Sequence, residues 1–258
     1  MALNSNGSKT KRQSFYPKWI VPLFIKPAQT TAEIVTQEKP VWLTPLLILS
    51  VLVILTALVA APLQREVIQT GSNLPPDFQY YSAEQQEQFY QAQANQTSPL
   101  YLYVFPVLSG LIKVWASWFL LSVILYLALT LSGSRASNVR SYNLVGWSML
   151  PLAIRYLVQI GVMLFSRSLV TAPGLSGFID SEATRAGAYF RSMLGYIDIY
   201  FILQVVLLLL GAAPLSALSR TKARVAAVIS VILLLLLLAI PGLLSSVLSG
   251  LSLSSFYF

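Results

Sequence analysis

No cysteine and no histidine occur among the 258 residues. Their absence removes the usual strong ligands for zinc, copper and haem, every disulfide and thiol nucleophile, and any Ser-His or Cys-His catalytic pair. Zinc-dependent and serine-type intramembrane proteolysis are thereby excluded. Charge is scarce as well, at 10% of residues against 56% hydrophobic. A soluble core of this composition would leave far too much apolar surface uncovered, so the chain is expected in a membrane. Acidic residues are the scarcest, nine Asp and Glu against seventeen Lys and Arg, for a net charge of +8. An aspartyl dyad needs two carboxylates, and the apolar spans offer only Asp198. No enzyme activity, cofactor or metal is expected.

What the chain has is long apolar runs. A crossing helix needs about 20 mostly apolar residues, and five runs qualify: 41–63, about 102–132, 142–166, 192–217 and 225–249. The expected fold class is all-α, an integral membrane bundle of five transmembrane helices. The first run starts about forty residues in and exceeds signal-peptide length, so it reads as retained. Basic residues set the orientation, because short loops rich in Lys and Arg stay inside. With the N-terminus inside, that side collects eleven of them, Lys9, Lys11, Arg12, Lys18, Lys26, Lys39, Arg135, Arg140, Arg220, Lys222 and Arg224. The outside receives four, Arg65, Arg167, Arg185 and Arg191, while Lys113 and Arg155 lie within spans. The C-terminus is then outside. The excess positive charge serves topology and attraction to anionic lipid, not nucleic acid.

Residues 1–40 read as a basic cytoplasmic tail with an interfacial segment, 41–250 as the membrane domain, and 251–258 as a short outer tail. "MALNSNGSKTKRQ" has nothing to bury and is expected to be disordered. "SFYPKWIVPLFIKP" mixes aromatic and aliphatic residues with Lys18 and Lys26, as suits the lipid headgroup boundary. Pro17, Pro22 and Pro27 argue against one regular helix there. The segment either lies on the membrane surface or docks a protein. "TTAEIVTQE" forms a short helix leading to the first span at Trp42.

Two outer loops are expected, about 64–101 and 167–191. In the first, Ser82 and Gln85 have capping-box spacing; the weakly amphipathic helix they start, with Phe89 and Tyr90, is a solvated connector or a partner contact. The second carries Pro173, Gly174 and Gly177, which indicate a surface turn, then Asp180 and Glu182. A 31-residue second run would reach about 46 Å as helix, so it tilts or its outer part stands clear of lipid. Its Trp115, Trp118 and Tyr126 suit helix packing. Short inner loops pair spans two and three, and spans four and five. Pro151, Pro214 and Pro241 mark kinks.

The charges inside the spans carry the site hypothesis. Counted in from the outer helix ends, Arg155 lies about 16 Å, Asp198 about 10 Å and Lys113 about 13 Å along the axis. Charged groups at such depth face a bundle interior or a wet cavity and pair with each other or with carbonyls. An Arg155 to Asp198 ion pair between spans three and four follows, with Lys113 joining it, competing for it, or snorkelling outward. The pair either pins helix register or serves transport or switching.

"YNLVGWSMLPLAI" resembles the Gly-x-x-x-x-Pro span of the Yip domain family, with Gly146 and Pro151 at the motif positions. "IKPAQTTAEIVTQEKPVWLTPLLIL" looks like that family's lead-in to its first span, "SAEQQEQ" is similar to a loop of bacterial members, and "DIYFILQVVLLLLGAAPLSALSRTKA" looks like its fourth span and basic turn. The Asp-Leu-Tyr-Gly signature of eukaryotic members is absent, so Rab-GTPase binding does not carry over. The resemblance to bacterial members implies a prokaryotic plasma membrane and an accessory or regulatory role beside ABC-type transporter subunits, or self-association. A small autonomous transporter or channel using the Arg155, Asp198 and Lys113 cluster is the alternative, and a membrane-shaping scaffold a third.

Overall fold

Prolines decide how the described chain begins. Pro17 opens a 3-10 turn, Pro17–Trp19, and Pro27 opens a helix, each in the first turn, where a residue without an N–H costs nothing. The structure, a computed structural model, describes residues 15–70, 77–170, 172–178 and 185–254. The tail 1–13, the acidic pair Asp180 and Glu182, and the last four residues lie outside the described residues. Regular structure among the described residues is helical: α1 Ile20–Ile25, α2 Pro27–Val35, α3 Leu43–Gln69, α4 Ala83–Gln96, α5 Phe105–Leu131, α6 Asn138–Ser148, α7 Pro151–Ser166, α8 Arg185–Leu194, α9 Ile199–Ser216 and α10 Arg220–Ser254. Five stretches are long and apolar enough to cross a membrane: Leu43–Gln69, Leu100–Leu131, Asn138–Ser166, Ile199–Ser216 and Arg220–Pro241. The chain is a multi-pass helical membrane protein. Helix α10 continues through 251–254, where the sequence suggests a tail.

Local signals place several boundaries. Ser82 Oγ accepts from Gln85 N at 3.2 Å while Gln85 Oε1 accepts from Ser82 N at 2.9 Å, a complete capping box at the start of α4. The surplus length of the second run is taken up by a π turn, Leu100–Val104, whose Leu102 is buried against Ala61 and Ile68 at the far end of α3. At Pro151 the third span breaks into α6 and α7. A helical Trp147 carbonyl would accept from the N–H of residue 151, which proline lacks, and accepts instead from Leu150 N at 3.1 Å.

That bend determines the packing. Helix α6 lies on α5 and α9, but α7 leaves α5 and packs on α3 and α9. Spans two and three are therefore a hairpin only over their first half. Helix α10 runs along α5, α8 and α9, and α2 crosses α6 and α9. Without a hydrophobic difference between lipid and helix surface, such contacts depend on close fit. Gly146 lets α6 approach Trp42 so closely that a Cβ there would stand 2.8 Å from Trp42 Cβ and 3.3 Å from its Cα. Around that contact Trp42 and Trp118 rings lie 4.3 Å apart, and Trp115 meets both edge-on. Each aromatic pair adds about 0.5–1.5 kcal/mol beyond its buried area.

The N-terminal segment belongs to this core. Trp19 is 2% exposed and Leu23 fully buried, with Trp19 edge-on to Trp147 at 5.5 Å. Composition suggests the headgroup boundary for both, and of the segment's large apolar side chains Phe15, Val21, Phe24 and Ile25 remain exposed. The linker between α2 and α3 is held by Asn143, fully buried on α6. Its Oδ1 accepts from Val41 N at 2.8 Å, and its Nδ2 donates to Gln37 O and Lys39 O at 3.2 and 2.9 Å.

Candidate functional site: a broken helix beside a polar cavity

The apolar run 192–217 reads as one continuous span, but the chain breaks it. Helix α8 ends at Leu194, and α9 starts after Asp198, which is extended (φ −147°, ψ −176°) and serves as N-cap. Asp198 is thus a helix terminus, not a residue of the span interior. Its Oδ1 accepts from Phe201 N at 2.8 Å, a cap worth about 1 kcal/mol. An N-cap carboxylate also meets the positive end of the helix dipole, which is why the acid tolerates this place.

A break among apolar helices exposes backbone groups that lipid cannot satisfy. Here three of its carbonyls, those of Leu194, Gly195 and Ile197, find donors. Leu175 N donates to Leu194 O and Ile197 O, both at 3.1 Å. That approach requires Gly174, whose φ is +61° and whose added Cβ would stand 2.8 Å from Leu194 O and 2.7 Å from Ile197 O. Arg155 supplies the donor for the third: its Nη2 donates to Gly195 O at 2.8 Å, and its Nε lies 2.8 Å from Asp198 Oδ2. Both side chains are 16% exposed. One guanidinium therefore neutralises the cap and satisfies a carbonyl of the break it caps.

The break sits level with the middle of α3. Trp115 Nε1 donates to Ser50 Oγ, and Gly110 abuts Val53, so Lys113 between them stands at the height of residues 50–53. Ala153, Ile154 and Leu157 share an apolar groove with Ile48, Val51 and Leu52, which places Arg155 at the same height. Lys113 takes no carboxylate. It is exposed, with Nζ 4.4 Å above the centre of the Tyr196 ring.

These groups surround a cavity of about 160 Å³. Lys113 and Ser117 of α5, Arg155, Tyr156 and Gln159 of α7, Tyr196 of the break and Gln204 of α9 supply its polar lining, and Val114, Met149 and Leu234 close it from the apolar side. Gln204, 5% exposed, is the member that a search for charges overlooks; an amide inside an apolar run was its signal. The lining's one aliphatic hydroxyl, Ser117 Oγ, donates to Lys113 O at 2.6 Å. The site holds charge and presents donors, and it sets no nucleophile beside a base.

Gly146 and Pro151 lie outside the cavity but build it, Gly146 by seating α6 on Trp42, Pro151 by turning α7 so that Arg155, one turn on, meets the break. Comparison with curated proteins and with solved structures gives no significant match. The Yip1 domain model matches residues 22–241. That match runs from α1 through the membrane part of α10 and takes in the Gly146 to Pro151 bend, the broken fourth span and every residue of the cavity, so the chain belongs to the Yip1 domain family of multi-pass membrane proteins.

Proposed function

We propose that this protein is a non-enzymatic accessory or regulatory subunit of a membrane transport complex of the ABC exporter type, oriented with its N-terminus inside the plasma membrane of a prokaryote. One observation carries the choice of a scaffold over a conduit. Buried Val114, Met149 and Leu234 line the polar cavity and belong to the apolar core that Trp19, Trp118 and Trp147 fill and Trp42 packs against. A pore needs a continuous polar path, and this half of the bundle is packed with indole rings. The family resemblance of the loop and span motifs supports the exporter as partner. Gentle affinity purification from the native host, in several detergents, is expected to recover a transporter's membrane subunit; recovery of this chain alone in all of them overturns the reading.

A second reading, a small autonomous transporter, draws on the broken α9 beside a cavity at mid-span height, an arrangement suited to holding substrates. Flux of small anions or cations by the purified protein in liposomes would establish it. Impermeable proteoliposomes would remove it.

A further inference from the structure

We infer that the cavity is a binding site for one anionic oxygen group, a carboxylate or phosphate, which enters on a lipid headgroup or as a free small anion. The inference stands on the donor set and needs neither reading above. The first observation is the charge balance. Lys113 and Arg155 line the cavity, and among the described residues the carboxylate against them is Asp198, held by Arg155, one negative charge to two positive. No carboxylate pairs with Lys113 among the described residues; its partner is the face of Tyr196. An ammonium at mid-span height is costly without a counter-charge.

Unused donors are the second observation. The guanidinium spends Nε on Asp198 and Nη2 on Gly195 O, and Nη1 has no hydrogen-bond partner among the described residues. Gln204 is 5% exposed, lines the cavity, and its side-chain amide has no hydrogen-bond partner among the described residues. An amide that opens onto a cavity without a protein partner bonds a water, an ion or a ligand there. Gln159 lines the same wall, also without a side-chain partner among the described residues. Two cationic groups and two amides thus converge from α5, α7 and α9 on one space, and charged donors bond an anionic acceptor more strongly than a neutral one.

Size and access are the third. About 160 Å³ holds several waters or one small anionic group, but not the body of a larger substrate. Lys113 is an exposed residue, Arg155 half-buried and Gln204 5% exposed, so the cavity is open on the side of Lys113.

The test uses the full chain. In the lipid arm, nanodiscs of zwitterionic phosphatidylcholine with one-fifth phosphatidylglycerol are analysed by native mass spectrometry for retained lipid. In the free-anion arm, inorganic phosphate is titrated into phosphatidylcholine-only discs and the melting temperature followed. We expect one anionic lipid retained per chain, or a saturable rise in melting temperature with phosphate; the arm that responds names the source. Lys113→Gln should weaken the response at least about tenfold, the least expected for losing a hydrogen bond to a charged group, Lys113→Arg should restore it, and Gln91→Ala, at an exposed position of α4, should leave it unchanged. Should Lys113→Gln not fold, Gln204→Met supplies the same comparison. Absence of a response in both arms, or an equal response from the Lys113 and Gln204 variants, overturns the proposal.

Discussion

Removing Asp198 or Arg155 separates two jobs that one ion pair performs. The pair is short, at 2.8 Å, and each side chain is 16% exposed, so leaving either charge without its partner is expected to cost about 3–5 kcal/mol. Beyond that the variants differ by what else they remove. Asp198→Asn loses the charge but keeps a good N-cap for Phe201 N; Asp198→Leu loses both and should be worse by about 1 kcal/mol. Arg155→Leu also strips the Gly195 carbonyl of its donor, a further penalty of about 1–3 kcal/mol. Arg155→Leu with Asp198→Asn leaves no unpaired charge, so the double variant should recover at least about 2 kcal/mol of the summed losses. Reversible denaturation in mixed micelles measures each corner of the cycle. Losses that add to within about 0.5 kcal/mol would show the residues to be uncoupled, and equal losses for Asp198→Asn and Asp198→Leu would remove the cap from the account.

Three further outcomes are expected. Gly146→Ala, meeting Trp42 backbone at 3.3 Å, should destabilise by about 1–3 kcal/mol, whereas Gly161→Ala, with nothing within 4 Å, should be neutral or stabilising by about 0.5–1 kcal/mol; melting temperatures in detergent compare them. Asn143→Leu leaves Val41 N, Gln37 O and Lys39 O without their partner and should cost at least about 2 kcal/mol, with proteolysis between α2 and α3 accelerated. Because the chain has no cysteine, single cysteines report topology cleanly: Glu84→Cys on α4 should react with an impermeant thiol reagent in intact cells, and Ser219→Cys at the basic turn only after lysis, the reverse result inverting the orientation.

The sequence by itself determined the class of the protein and the number of its apolar helices, because crossing a membrane imposes a length and a hydropathy that no neighbour can supply. It also determined the capping box at Ser82 and the bend at Pro151, which are local backbone chemistry. That Arg155 needs a counter-charge was legible for the same reason: the cost of a buried charge belongs to the residue and not to its surroundings. Tertiary structure decided everything that turns on which side of an apolar helix faces protein. When all faces are apolar, periodicity carries no inward direction, so Trp19 and Leu23 could be assigned to lipid or to core, and only packing against Trp147 settled it. The break before α9 was hidden likewise, because Gly195 to Asp198 interrupts the helix only where Leu175 N and Arg155 arrive to satisfy the freed carbonyls. Lys113 shared a height with Asp198 along the sequence, yet it settled on Tyr196, since Arg155 and Phe201 N already engage the carboxylate. Gln204 became a candidate ligand only when α5, α7 and α9 closed a cavity around it, since an unpartnered amide is a property of the folded neighbourhood and not of the residue.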